Sequence, residues 1–305
     1  MVEGKSKTGV VKKRASKREK KDWIAAYIFI APVTLGLLVF YIWPFIQNIW
    51  FSFNEVSKFN VATFCGLANY QKLFRDGEVL KTFGNTLKYV VVTVGLFLSI
   101  LIATLLNSKI KGTSIYRTLY FLPSVTMAAA VAMVWKWIYN EKMGILNSVI
   151  RALGGKGIGW LTDPKIALYS VMIVGLWMSV GYNMIILLAG MQGISKSYYE
   201  AAQIDGATSL QTLFKVKIPM VMPSITICLF LTVSNSFKLF DQNLALTAGA
   251  PSKKTAMLAL DIYNTFYGRN GYEGVGQAKA VLFFIVVAVI ALGQLVLTRR
   301  KEVEQ

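Results

Sequence analysis

The stretch YYEAAQIDGATSLQTLFKVKIPMVMP, Tyr198 to Pro223, interrupts the long apolar runs of this 305-residue chain. Just before and within it, Ser197 and Glu200 have the S-x-x-E spacing of a capping box, in which each side chain satisfies the other residue's backbone amide at a helix start. Gly206 suits the left-handed residue that ends a helix. The first half therefore predicts a short helix closed by a tight turn.

The second half predicts another helix. It can begin near Thr208 or Ser209 and carry apolar side chains on one face, namely Leu210, Leu213 and Phe214. Pro219 and Pro223 cannot donate in a helix interior, so they mark the junction with the next apolar run. The whole stretch is either an ordinary interfacial loop or a docking element for a soluble partner.

The rest of the chain contains six uncharged apolar windows. Each has about 18 or more residues, the length needed to cross roughly 30 Å of hydrocarbon as a helix. The windows are Ile24–Asn54, Tyr89–Ser108, Thr118–Trp135, Ile166–Ser195, Ile218–Phe237 and Ala280–Thr298. With 55% hydrophobic and 16% charged residues, the sequence predicts an all-α integral membrane protein with six transmembrane helices.

The distribution of Lys and Arg predicts the orientation. With the N-terminus in the cytoplasm, the inside segments 1–22, 107–118, 191–217 and 298–305 carry 18 basic residues in 69 positions. The outside segments 54–88, 139–165 and 241–279 carry 13 in 101. This favours N-in, C-in, with a basic, solvated cytoplasmic tail at 1–22 and a six-helix domain at 23–305. The net charge of +18 is then explained without nucleic acid.

Several function classes are disfavoured by residue type. The chain has no histidine, which argues against zinc sites and His-based catalytic arrangements. Gly4-Lys5-Ser6 ends like a Walker A motif but lacks its first glycine, so no nucleotide site is expected. No Asp or Glu lies within a window, whereas ion-coupled carriers place acids there. If the chain transports a solute, the energy must therefore come from elsewhere.

Neutral polar residues do enter the fourth and fifth windows: Ser179, Tyr182, Asn183, Asn235 and Ser236. Beside Trp177 and Phe237, they suit a polyhydroxylated solute, because hydroxyls need hydrogen-bond partners and sugar faces stack on aromatic rings. Such residues also bond neighbouring helices to one another in membranes. Both readings remain open at the level of sequence.

Glu200-Ala201-Ala202, three residues, Gly206, nine residues, then Val216, Lys217, Ile218 and Pro219 resembles the EAA motif of ABC-importer permeases. Val216 and Ile218 stand where that family usually has Ile and Leu. Asp205-Gly206-Ala207 is similar to the D-G-A of the carbohydrate branch. The segment 195–223 is therefore identified as the coupling segment of such a permease, between spans 4 and 5.

Further motifs extend the resemblance from Trp23 onward. They are FIAPVTLGLLVFYIWPFIQNIWFSF, GLANYQKLF at Gly66–Phe74, YRTLYFLPSV at Tyr116–Val125, WKWIYN at Trp135–Asn140 and LTAGAP at Leu246–Pro251. They are similar to the first permease of carbohydrate importers, the counterpart of the maltose transporter's larger permease. The extra N-terminal helices and external domain of that subunit have no counterpart in this sequence.

The resemblance implies partners and a division of labour. A second permease completes the pathway as a heterodimer, two ATPase subunits bind the EAA helices and hold ATP and Mg²⁺, and an extracytoplasmic binding protein delivers the sugar. This chain would be a non-catalytic, multi-pass subunit in the lipid of a bacterial or archaeal plasma (inner) membrane. It would bind no metal or cofactor and no nucleic acid.

The resemblance also implies two sets of residues. ATPase coupling falls to Glu200, Ala201, Ala202, Asp205 and Gly206. Alignment with the maltose permease assigns substrate binding to Gly175, Met178, Ser179, Tyr182, Asn235, Ser236 and Leu239. The alternatives are an importer permease for another solute, such as a phosphorylated polyol or a modified peptide, and a stand-alone channel or secondary carrier. A membrane-embedded enzyme is the least favoured reading.

Overall fold

The computed structural model describes residues 17–56, 62–108 and 110–299. Helices dominate these ranges: α1 Lys17–Leu37, α2 Trp43–Ser52, α3 Ala68–Arg75, α4 Glu78–Val94, α5 Phe97–Leu106, α6 Thr113–Val125, α7 Ala128–Ile138, α8 Ile145–Ala152, α9 Ala167–Gln192, α10 Lys196–Ile204, α11 Ser209–Thr212, α12 Ile218–Met220, α13 Met222–Phe237, α14 Asp241–Leu246, α15 Leu258–Gly268 and α16 Glu273–Arg299. π-Helical turns at Leu38–Ile42 and Leu213–Lys217 join α1 to α2 and α11 to α12. A two-stranded antiparallel hairpin pairs β1 (Asn54–Val56) with β2 (Ala62–Phe64).

Four of the six predicted windows coincide with helices long and apolar enough to cross a membrane. These are Lys20–Ser52, Glu78–Leu106, Ala167–Gln192 and Glu273–Arg299. Length and composition thus support four spans directly. The chain is an integral membrane protein with several apolar helices.

The third and fifth windows do not form straight spans. Thr113–Val125 and Ala128–Ile138 meet at 102°, and Ser209–Met220 and Met222–Phe237 meet at 71°. Pro123 lies near the first break and Pro219 near the second, as expected of a residue that cannot donate a backbone hydrogen bond. Six spans result only if each bent pair crosses as one unit. The fifth predicted window is also shortened, because its first three residues form α12.

Residues 1–50 form the first of two compact units. The predicted tail at 1–22 falls mostly outside the described residues, since 1–16 are not described; Lys17–Asp22 are the first residues of α1. The described side chains of α1 and the following π-helical turn are almost all exposed, including large apolar ones such as Phe29 and Phe40. Apolar surface of this kind is compatible with lipid or a partner chain.

In the second unit, residues 51–305, α9 is the central helix. It packs against α4, α5, α6 and α13. Two glycines permit close approach: a Cβ on Gly181 would lie 1.9 Å from the carbonyl oxygen of Tyr120 on α6, and one on Gly190 would lie 2.3 Å from Ser224 Oγ on α13. Small residues at such crossings let membrane helices associate.

A buried ion pair ties α15 to α16. Lys279 Nζ donates to Asp261 Oδ2 at 2.7 Å and to Thr265 Oγ1 at 2.7 Å, and both charged side chains are almost fully buried. The sequence placed Lys279 in an external segment, just before the sixth window. The helix begins earlier, at Glu273, so this lysine lies within α16.

Candidate functional site

A cavity of about 410 Å³, here called the inner cavity, lies between α4, α6, α9 and α13. All seven residues assigned to substrate binding line it: Gly175, Met178, Ser179, Tyr182, Asn235, Ser236 and Leu239. They come from the middle of α9 and from the end of α13 and the residues after it. No charged side chain is among its lining residues. The site is therefore polar but neutral.

Six polar residues of the inner cavity fall into two groups. Asn183 and Thr232 bond each other across α9 and α13 (3.0 Å from Asn183 Nδ2), and Ser236 Oγ lies 2.8 Å from Thr93 Oγ1 on α4. Tyr182 and Asn235, which are exposed, have no side-chain hydrogen bond within the described parts of the chain. The first group joins helices, as one of the two sequence readings predicts. For the second group, contact with a solute stays a prediction.

The predicted aromatic partners were wrong. Phe237 is fully buried, and Trp177 lies outside the lining, with its ring 5.6 Å from that of Trp135. The aromatic side chains that line the inner cavity are Tyr89 and Tyr182. Gly175 makes room for the first, because a Cβ there would lie 2.0 Å from Tyr89 Oη.

Six lining residues lie outside the seven that the alignment assigned, and of these only Asn183 was among the neutral polar residues considered for a solute: Tyr89, Thr93, Ser124, Asn183, Thr232 and Gln242. Ser124 Oγ donates to the carbonyl oxygen of Met178 at 2.9 Å, and Gln242 Nε2 donates to that of Val171 at 3.0 Å. Most of these lie on helices other than α9. Only the packing of α4, α6, α13 and α14 against α9 brings them here, and no local motif predicts it.

The coupling segment has the predicted helix–turn–helix form, with one correction at its start. The helix α10 begins at Lys196, one residue before Ser197, so the predicted capping box with Glu200 does not form. Ser197 Oγ instead lies 2.9 Å from Ser195 Oγ. A capping box is present at α11: Thr208 N donates to Gln211 Oε1 (2.8 Å), and Gln211 N to Thr208 Oγ1 (3.3 Å). The T-x-x-Q spacing of Thr208 and Gln211 in the sequence indicates this capping box.

The turn between α10 and α11 is closed as predicted. Gly206 has φ +71°, and its amide donates to the carbonyl oxygen of Gln203, while Ala207 N donates to that of Ala202 at 2.9 Å. These two bonds are the Schellman arrangement that ends a helix on a left-handed glycine. A Cβ on Gly206 would meet no atom, so backbone conformation is what favours glycine here.

Burial distinguishes the five coupling residues. Glu200, Ala201, Asp205 and Gly206 are exposed, whereas Ala202 is 8% exposed and is buried within the chain itself. Beside it, Lys217 Nζ lies 5.5 Å from the ring centroid of Tyr199, and burial raises the pKa of this tyrosine. The exposed apolar side chains of this segment include Ile204, Leu210 and Phe214. They form a surface that a partner could cover.

Comparison with known proteins identifies the family. Residues 91–303 match the family model described as the inner membrane component of binding-protein-dependent transport systems. A probable starch degradation products transport system permease, AmyD of Thermoanaerobacterium thermosulfurigenes, is 36% identical, covering 93% of this chain and 97% of that protein. The multiple sugar-binding transport system permease MsmF of Streptococcus mutans is 34% identical, covering 90% and 94%.

A solved structure shares the fold. A chain of a bacterial ABC transporter that imports the acidic polysaccharide alginate superposes with a TM-score of 0.82 at 23% identity, covering 93% of this chain and 98% of that one. The two relatives cover nearly the whole chain, and the family model covers residues 91–303, which is more than half of it. The chain therefore belongs to the family of inner membrane components of binding-protein-dependent transport systems, as a non-catalytic permease subunit of an ABC importer.

Proposed function

We propose that this chain forms half of the membrane pathway of an ATP-driven importer that moves a sugar or oligosaccharide from a binding protein into the cytoplasm. The names of two relatives support the substrate class, since one concerns starch degradation products and the other multiple sugars. The membrane is the plasma (inner) membrane of a bacterium or archaeon.

The observation that carries the proposal is the chemistry of the inner cavity. Its volume of about 410 Å³ lies within the range of small-molecule sites. Tyr182 and Asn235 offer unused donors and acceptors, and the partly exposed Tyr182 also brings an aromatic ring. Hydroxyl groups and C–H faces of a sugar match these groups without any charge. The seven aligned residues are accordingly proposed as substrate contacts.

A non-sugar solute is the second candidate. A phosphorylated polyol would bring at least one negative charge, and burying that charge without a paired cation is costly. The lining of the inner cavity contains no Lys or Arg. A modified peptide meets the same difficulty if it carries charged termini. The neutral lining thus favours a sugar over both alternatives.

Coupling to ATP is proposed for the segment 195–223. Its exposed face includes Glu200, Ala201 and Ile204 on α10, and its glycine turn fixes the angle between two short helices. One of two ATPase subunits, which hold ATP and Mg²⁺, would bind this face, and the other would bind the second permease of the heterodimer. Ala202 is buried within the segment. It would act by packing α10 against the rest of this chain, and not by contacting the ATPase.

Copurification tests the proposal. The chain is expressed with its neighbouring permease, ATPase and binding-protein genes, and the tagged chain is isolated from membranes. We expect the ATPase to copurify and to be lost in the Glu200→Ala/Gly206→Val variant, while the partner permease is retained. Reconstituted complexes should take up starch-derived oligosaccharides but not glycerol phosphate. Uptake without any ATPase would show a carrier or channel instead.

A further inference from the structure

A second and larger cavity, about 580 Å³, lies at the N-terminal end of α9 and is here called the outer basic cavity. Its walls are α4, the residues just before α9, the loop after α14 and α15. The 26 residues of α9 extend roughly 39 Å at 1.5 Å per residue. The coupling segment follows the other end of this helix. The outer basic cavity therefore opens on the side away from the proposed ATPase.

The cavity carries an excess of positive charge. Six basic residues line it against two acidic ones: Lys81, Lys88, Lys165, Lys253, Lys254 and Arg269, with Glu78 and Asp261. Both acids are already paired. Glu78 accepts from Lys253 and from Arg269 (2.6 Å), and Asp261 accepts from Lys279 at 2.7 Å.

Four lysines remain without an ion-pair partner within the described ranges: Lys81, Lys88, Lys165 and Lys254. All four side chains are exposed. Two of them stand on one face of α4, seven residues apart, with Asn85 between them. Like charges gathered around one concave surface raise the local potential and attract anions from solution.

Hydrogen bonds join the two elements that carry three of these lysines, α4 and the loop after α14. Asn85 Nδ2 donates to the carbonyl oxygens of Lys254 (2.9 Å) and Ala256 (3.0 Å), so α4 is bonded directly to the loop after α14. Within that loop, Thr247 Oγ1 and Thr255 Oγ1 lie 2.7 Å apart. A preorganised surface of this kind loses little entropy when a partner docks.

The occupant of this cavity is not the transported solute in the state described. A buried layer that includes Tyr89, Met172, Leu246 and Met257 lies between the two cavities along α4, α9 and α14. The inner cavity beyond that layer has no charged lining residue. An anion attracted by the lysines of the outer basic cavity would therefore meet no cationic side chain in the inner cavity.

An anionic lipid headgroup is a poorer match than a soluble protein. Of the two leucines that line the cavity, Leu168 is buried and Leu80 is exposed. Tyr169 is also exposed, but 13 of the 21 lining residues are polar or charged, so the apolar side chains form no continuous surface for acyl chains. The rim is otherwise mainly polar and charged, like the rim of a protein–protein interface.

We infer that the outer basic cavity docks an acidic surface segment of the solute-binding protein, with its carboxylates facing Lys81, Lys88, Lys165 and Lys254. This inference rests on the proposed function, which supplies a binding protein on that side. Complementary charge of this type mainly accelerates encounter and fixes register. It should therefore set the concentration of binding protein needed, and it should be weakened by salt.

The test uses the complete importer in lipid nanodiscs and the binding protein encoded beside it. ATP hydrolysis is measured against binding-protein concentration for wild type, for Lys81→Glu/Lys254→Glu and for Lys156→Glu. The last is a matched control, because Lys156 is exposed after α8 and does not line the cavity. We expect the half-stimulating concentration to rise about tenfold in the double variant at low salt. Basal hydrolysis and the control should match wild type.

The outcomes are distinguishable. If the binding protein stimulates wild type and the double variant equally, the docking inference is overturned while the importer assignment stands. If it fails to stimulate wild type, the proposed function itself is in question. If the double variant differs from wild type only in basal hydrolysis, and only in nanodiscs with anionic lipid, the cavity holds a headgroup, which also overturns the inference.

Discussion

The two cavities along α9 use opposite chemistry. The inner cavity is lined by hydroxyl, amide and apolar side chains, whereas the outer basic cavity is lined by six basic residues and two acidic ones. The buried pair of Lys279 and Asp261 also belongs to the outer region, because the aspartate lines that cavity. In these two regions, a charged pair joins α15 to α16, the lysines of the outer basic cavity are the proposed docking groups, and the proposed route relies on neutral groups.

This separation is physically reasonable. A neutral solute needs partners that hold it weakly enough to leave, and hydrogen bonds between neutral groups contribute about 0.5–1.5 kcal/mol each. A charge at the same place would have to be desolvated at each cycle. The absence of acids from the apolar windows, which argued against an ion-coupled carrier, has the same origin.

The largest effect is expected from breaking the buried pair. Lys279→Met removes one partner and leaves Asp261 as an unpaired buried charge, which costs about 3–5 kcal/mol in comparable pairs. We expect a clearly lower melting temperature of the purified complex. The double variant Lys279→Met/Asp261→Leu should recover much of the stability, because no charge remains buried.

The same variants also test whether the charged groups of the outer region are separate from the transport route. Should Lys279→Met leave stability unchanged but abolish uptake, the ion pair would belong to the transport route. The division between a charged outer region and a neutral inner one would then be wrong.

A smaller effect is expected within the inner cavity. Tyr182→Ala and Asn235→Ala each remove free hydrogen-bonding groups, so each should raise the solute concentration for half-maximal uptake about tenfold. Ser234→Ala is a suitable control, since Ser234 neighbours Asn235 but does not line the cavity. Transport by reconstituted vesicles measures all three, and unchanged affinity and rate in both cavity variants would count against this site.

The smallest effect is expected at Ser179. Its hydroxyl already donates to the carbonyl oxygen of Leu176 at 3.0 Å, so it has less to offer a solute than Tyr182. Ser179→Ala should change the apparent affinity by no more than about twofold. A loss as large as that of Tyr182→Ala would show that this hydroxyl turns toward the solute during transport.

The sequence predicted local features better than distant contacts. The turn at Gly206 and the helix start near Thr208 followed from side-chain chemistry over a few residues, and both are present. The cap at Ser197 failed because the N-cap of α10 is Ser195, two residues earlier, a shift that spacing alone cannot detect. The bends in the third and fifth windows could not be predicted, because apolar composition indicates how long a helical segment is and not whether it changes direction.

Tertiary contacts account for the remaining differences. Tyr89 joins the inner cavity because Gly175 lets its ring approach α9, and nothing near Tyr89 in sequence indicates that. Lys279 is buried because Asp261 and Thr265 meet it from α15. Asn85 bonds a loop about 170 residues further on, a contact that its sequence neighbours do not indicate. Such pairings exist only once the helices are packed.

The most direct test of the central claim, that a partner's ATP hydrolysis acts through the segment 195–223, is ATP-driven uptake by the Gly206→Val and Gly206→Asn importers. Gly206 has φ +71°, which valine adopts at considerable cost and asparagine tolerates. We predict that Gly206→Val loses uptake and ATPase binding while solute affinity is kept, and that Gly206→Asn retains uptake. Full ATP-driven uptake by Gly206→Val would contradict the account.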